Sequence, residues 1–133
     1  MRGTLTLEEA AKFHGHRGPW LVLGYRAGLR ALEVLGSGVR CSVRLPLRAP
    51  YTCLIDGIQA SAGCTLGKRL IEVCEGEGVV VRFTAGGRAL ELRLREGVEA
   101  LIEGLVEGLG LEGAAREVEG WDLGEAFEER QYP

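Results

Sequence analysis

Residues 19–35, PWLVLGYRAGLRALEVL, constrain the fold more than any other stretch of this 133-residue chain. Pro19 suits the first turn of a helix, where a missing N–H costs nothing. From there the only charges are Arg26, Arg30 and Glu33, which fall on one stripe at i, i+4 and i+7. A helix so apolar around the rest of its circumference has to be buried on most of its surface. Gly24 and Gly28 each cost about 1 kcal/mol against Ala in a helix interior. Their presence points to close approach of another backbone, in this chain or in a partner chain. The segment is too short and too charged to span a membrane. The N-terminal MRGTLTLEEAAKFHG has no apolar run after its first Arg, so no secretory signal is read there and a cytoplasmic protein is expected.

The remaining elements organise around that helix. Thr6 followed by Glu9 is a capping box that opens a short first helix. Residues 39–45, VRCSVRL, alternate strictly and predict a half-buried strand with Val39, Cys41, Val43 and Leu45 on its inner face. A short buried helix over 54–62 ends at Gly63. Three strands are expected at 69–74, 78–84 and 89–95, the last two joined as a hairpin through Gly86-Gly87. Residues 96–109 show an amphipathic helix pattern with Val98, Leu101, Ile102, Leu105, Val106 and Leu109. The tail, 113–133, is acidic and reads as moderately helical. The expectation is one α+β domain over 1–133: a mixed sheet with helices packed on one face, an α-β-α-β-β-β core, then C-terminal helices.

With 16 basic and 19 acidic residues the formal charge is −3, which argues against a nucleic-acid partner. Four cysteines in a chain of this size and expected compartment read as thiols or metal ligands rather than a disulfide framework. Cys41 belongs to the alternating strand and reads as a small core residue.

Two stretches could carry chemistry. FHGHRGPW, 13–20, contains the only two histidines, His14 and His16; CLIDGIQASAGCTLGK, 53–68, contains Cys53 and Cys64. Imidazole and thiolate are the usual ligands of zinc and similar borderline-soft metals. In an extended loop His14 and His16, at i and i+2, point the same way and reach one ion; Cys53 and Cys64 join them only through tertiary folding. Three other readings stay open. The histidines could simply bond loop carbonyls while the cysteines are buried small residues. Cys53, at a helix N-terminus, could be a nucleophile of lowered pKa paired with His16 as a catalytic dyad. Asp56 and Gln59 could orient an imidazole or bind substrate. Gly63–Lys68 resembles a phosphate loop but lacks the G-x-x-x-x-G-K-[S/T] spacing, and Arg69 stands where Ser or Thr is needed. Lys68 and Arg69 could still hold an anionic group.

In these two stretches the chain resembles the FmdE family of formylmethanofuran dehydrogenase components. That family's motifs run like F-H-G-H-x-C-P-G and C-x-x-D-A-I-Q-x-x-x-G-C-T-x-G-K. Cys53, Asp56, Ile58, Gln59, Gly63, Cys64, Thr65, Gly67 and Lys68 match the second. The first departs at Gly18, where the family has cysteine, and at Trp20, where it has glycine. The cysteine-rich zinc finger that many relatives carry after the core is not expected here. The resemblance implies an α+β core similar to the catalytic domain of glyceraldehyde-phosphate dehydrogenases, and a homodimer in which Gly24 and Gly28 would suit the seam. It also implies a place in one-carbon metabolism, accessory to a molybdenum or tungsten enzyme that handles CO2 at the formyl level, and so membership of a larger oxidoreductase complex. On this reading zinc or another transition metal is held by His14, His16, Cys53 and Cys64, with Asp56, Gln59 and Lys68 lining a pocket for a small anionic substrate. The alternative is a non-catalytic binding or assembly module with a degenerate metal site.

Overall fold

The computed structural model describes residues 4–133. Thr6 caps the first helix, α1 (Leu7–His14), as expected: its hydroxyl accepts from the Glu9 N–H at 3.1 Å, and the Glu9 carboxylate accepts from the Thr6 N–H at 2.9 Å. The apolar stretch forms α2 (Pro19–Leu35). Then come β1 (Arg40–Leu45), α3 (Cys53–Ala62), β2 (Ile71–Glu75), β3 (Val80–Ala85), β4 (Arg88–Leu94), α4 (Val98–Glu119), α5 (Leu123–Ala126) and β5 (Phe127–Tyr132). The five strands form one mixed sheet in the order β2-β1-β3-β4-β5, parallel between β1 and β2 and antiparallel elsewhere. The hairpin turns at Gly86 and Gly87, both at positive φ, between the paired Ala85 and Arg88.

Alternation in the strands decides which face is covered. Cys41, Val43, Leu45, Val81, Phe83, Leu90 and Leu92 are buried beneath the helices. Arg40, Ser42, Arg44, Arg82 and Thr84 point the other way and are exposed. No helix among the described residues is long and apolar enough to cross a membrane.

The glycines of α2 meet α3 of the same chain. A Cβ at Gly24 would lie 2.0 Å from the Leu54 carbonyl oxygen, and one at Gly28 would lie 1.9 Å from the Ser61 hydroxyl. From the other side, a Cβ at Gly57 would stand 2.2 Å from the Leu21 carbonyl oxygen and 2.6 Å from the Tyr25 nitrogen. This corrects the expectation that Gly24 and Gly28 suit a dimer seam: the space they leave is filled by α3. The charged stripe of α2 is also used internally. Arg26 donates to the Val118 carbonyl at 3.0 Å, and Arg30 forms a two-pronged pair with Glu129 at 2.8 and 2.9 Å.

Two further expectations are corrected. The tail is helical only as far as Ala126; residues 127–132 are a sheet-edge strand, with Phe127 buried opposite Leu94. The helix predicted over 96–109 continues to Glu119 through a break at Gly110, whose φ is 76°. Val98 and Ile102 are buried as the pattern requires, but Leu101 and Leu109 are 54% and 55% exposed.

Gly24→Ala and Gly57→Ala should each destabilise the protein by about 3 kcal/mol or more, because backbone atoms have to move. Gly104→Ala, with nothing within 4 Å of its added Cβ, should stabilise by about 0.5–1 kcal/mol through helix propensity. Urea denaturation of the three variants checks both signs.

The Arg30 hydrogen bonds hold the Glu129 carboxyl below the ordinary carboxylate range. A depressed carboxylate stabilises the fold above its unfolded pKa, about 4.3, and loses that contribution as pH falls through its folded value. Glu129→Gln should therefore cost about 0.5–1 kcal/mol at pH 7, since both groups are partly solvated. The difference from wild type should vanish in acid, as measured by unfolding across pH 2–7.

Candidate metal centre

The candidate site lies where the N-terminal ends of α2 and α3 come together. His14 is the last residue of α1, and Gly15 caps that helix in the left-handed region at φ 109°. This reversal corrects the extended-loop reading. The chain folds back so that the two imidazoles lie with centroids 4.6 Å apart, tilted by 45°. Cys53 is the first residue of α3 and faces them. One ligand atom from each of His14, His16 and Cys53 lies within 4.8 Å of the others. His14 and Cys53 are half-buried and His16 is exposed.

The orientation of His14 is specified. Its Nδ1 lies 2.6 Å from Asp56 Oδ2. A carboxylate only accepts, so Nδ1 carries a proton, and in the neutral ring Nε2 presents a lone pair. That Nε2 is buried with no hydrogen-bond partner. Behind Asp56, the Gln59 amide donates to Oδ1 at 3.4 Å while its carbonyl accepts from the Leu66 N–H at 2.9 Å. Asp56 and Gln59 are thus committed to His14 and to the turn after α3. A carboxylate behind a histidine, fixing its tautomer, is the usual support for a metal-ligating imidazole.

These residues fit a borderline-soft transition metal. Two imidazole nitrogens and one thiolate are a zinc-type donor set. Bonds of about 2.0–2.3 Å place tetrahedral ligands roughly 3.3–3.6 Å apart, closer than the 4.8 Å within which these three atoms lie. Burial and the neighbouring Asp56 push the Cys53 thiol up, against a small opposing effect of a backbone N–H. The lowered pKa expected from its place at a helix N-terminus is therefore not found.

Other expected site residues lie elsewhere. Cys64 is buried beyond the end of α3, against Cys41, and is not one of the three clustered residues. Burial pushes the Cys41 thiol well up, with Cys64 adding to it. Lys68 is exposed on the turn before β2. Gly18 caps α2 in extended conformation, and a Cβ there would sit 3.4 Å from His16 Nε2 and 3.8 Å from Leu111 Cδ2. The position where relatives have cysteine thus borders the three-residue cluster, and in this chain it adds no donor. One contributor escaped the sequence reading. Arg17 pins the histidine loop to α4 through a pair with Glu119 at 2.9 Å, a partner 102 residues away with no local signal.

The chain is similar to known proteins in sequence and in fold. The family model described as "FmdE, Molybdenum formylmethanofuran dehydrogenase operon" matches residues 13–122. A probable S-adenosyl-L-methionine-binding protein of Archaeoglobus fulgidus is 41% identical over 69 residues, which is 48% of this chain and 19% of that protein. The chain therefore spans about a fifth of the length of that curated relative. The crystal structure of a tungsten formylmethanofuran dehydrogenase FmdE-like protein from Syntrophus aciditrophicus superposes with a TM-score of 0.63 at 21% identity. That match covers 95% of this chain and 69% of the other.

The burial pattern sets an order of thiol reactivity. Exposed Cys74 should react first with a disulfide reagent, and half-buried Cys53, with its raised pKa, more slowly. Cys41 and Cys64 should react only on unfolding. Timed labelling followed by peptide mass analysis reads that order directly.

Proposed function

The chain belongs to the FmdE family, and from that premise we propose that it is a small metal-binding protein whose centre is built from His14, His16 and Cys53. The observation that carries the proposal is His14 Nε2, a buried nitrogen with no partner on a ring whose other nitrogen is held by Asp56. An isolated buried acceptor costs about 1–3 kcal/mol, and a bound ion removes that penalty. Zinc with three protein ligands keeps a fourth position for water or substrate and acts there as a Lewis acid. Around it, Asp56 and Gln59 hold the His14 tautomer, and Gly18 leaves the approach beside His16 free of a side chain. Lys68 lies outside the three-residue cluster, on the exposed turn whose Leu66 N–H holds Gln59, and we assign it the positive charge that draws a small anionic substrate.

The role we assign is accessory to a molybdenum or tungsten enzyme of one-carbon, CO2 and formyl, metabolism. Exposed Leu101, Leu109 and Leu111 on α4 supply apolar surface of the kind a homodimer or a larger oxidoreductase complex covers. S-adenosyl-L-methionine, named for the Archaeoglobus relative, is a further ligand to test on the metal-loaded protein. A second reading, an assembly module with a degenerate site, is favoured by Gly18, which gives no fourth ligand.

Elemental analysis of untagged protein separates the two. About one zinc or similar ion per chain is expected in the wild type, and none in His14→Ala or Cys53→Ser. Asp56→Asn should keep the fold and weaken metal binding about 10–100-fold, measured by chelator competition. Wild-type protein that stays metal-free after reconstitution under reducing conditions would establish the degenerate-site reading.

A further inference from the structure

The open face of the sheet carries a second polar constellation, remote in character from the His/Cys cluster. Arg40, on β1, is paired in register with Thr84 on β3, and Ser42 is paired with Arg82. Arg40 and Arg82 are therefore diagonal neighbours on one face, within reach of a common ligand for side chains of this length. Arg69, from the turn before β2, lines the same cleft of about 200 Å³, together with Ser42, Thr84 and one acid, Glu72. An adjoining cleft of about 460 Å³ shares Arg40, Arg82 and Thr84 and adds Arg88 and Tyr132. Among the described residues Arg40, Arg69 and Arg88 form no ion pair; Arg82 has a long contact with Glu91, at 3.5 Å.

Two features mark this surface, one in the backbone and one in a side chain. Arg69 is the only non-glycine residue among those described with positive φ, at 58°. That conformation costs roughly 1–2 kcal/mol for a residue with a Cβ and persists only where the surroundings impose it. Arg82 is stacked over the Tyr132 ring at 5.0 Å, which fixes the direction of its guanidinium.

We propose that this trough is an anion-binding site for a ligand bearing linked phosphate groups, a polyphosphate or a nucleoside di- or triphosphate. Four guanidiniums facing two acids leave an excess of positive charge on a chain whose net charge is −3. Guanidinium forks match phosphate oxygens two at a time, and the Ser42 and Thr84 hydroxyls supply further donors. Two joined clefts sharing Arg40 and Arg82 suit two joined oxyanions better than one. A second copy of the chain is a poor occupant, because a two-fold contact across this face would set arginine against arginine. The site also gives a use to Arg69, which the histidine and cysteine residues leave unexplained.

Calorimetric titration of the full chain with inorganic pyrophosphate, with a chelator present to keep the His/Cys cluster metal-free, tests this. Pyrophosphate should bind at least tenfold more tightly than inorganic phosphate and weaken as salt is raised. Arg40→Gln should weaken it at least tenfold. Arg69→Gly should do the same while raising Tm by about 3–6 °C, since glycine relieves the backbone, so loss of binding there is not loss of fold. Tighter binding of ATP than of pyrophosphate would support the site and identify a nucleotide as its ligand; the reverse would support it with free polyphosphate. No binding at millimolar pyrophosphate, or equal binding by both variants, overturns the proposal. So does a single-stranded oligonucleotide bound at least tenfold more tightly than pyrophosphate, which would make the face a nucleic-acid surface.

Discussion

Everything in this protein is referred to the contact between α2 and α3. Side chains normally keep helix axes about 8–10 Å apart, and here glycines at three positions let main chain approach main chain instead. The contact is also where the chemistry is measured out. Leu54, whose carbonyl faces Gly24, follows Cys53 directly, and Gly57, which faces Leu21 and Tyr25, follows Asp56. The histidine loop enters α2 just before that helix reaches Gly24. The separation of imidazole from thiolate and carboxylate is therefore set by how closely two backbones pack, and not by the side chains alone.

The second level of organisation is a relay of hydrogen bonds that begins in a turn. Leu66 N–H holds Gln59, Gln59 reaches Asp56, and Asp56 holds His14. The relay starts from main chain and ends on a free imidazole nitrogen, so its direction is fixed. His16, by contrast, is exposed and unsupported. The cluster thus combines one imidazole held through a carboxylate with one that is exposed.

Much of this was legible in the sequence, for identifiable reasons. The α2 span, the capping box at Thr6, the alternation of β1 and the Gly86-Gly87 turn are all local signals, and the structure follows them. The two motif stretches contain the three residues that the structure clusters, His14, His16 and Cys53. What failed was non-local. FEERQY has only its two end residues, Phe127 and Tyr132, to mark it as a strand, and its pairing is supplied by β4, more than thirty residues upstream. Leu101 and Leu109 completed a helical stripe in the sequence but point away from the core. Cys64 matched a motif position, yet its sulfur lies against Cys41, whose alternating strand does not reveal what packs on it. The His14–His16 spacing suggested an extended loop because a left-handed turn at Gly15 leaves the same i, i+2 spacing.

Gly18 has a consequence for how such a site changes over generations. Its backbone is extended and its missing Cβ would lie at ordinary contact distance from His16, so neither φ nor the first side-chain carbon requires glycine there. Glycine and cysteine codons ending in a pyrimidine differ by one base. A lineage at this position can thus pass between a cluster with an open side and one furnished with an additional thiol by a single mutational step. The fold would keep its shape while the capacity to admit a ligand is gained or surrendered, which makes this one residue a natural point of divergence among otherwise similar chains.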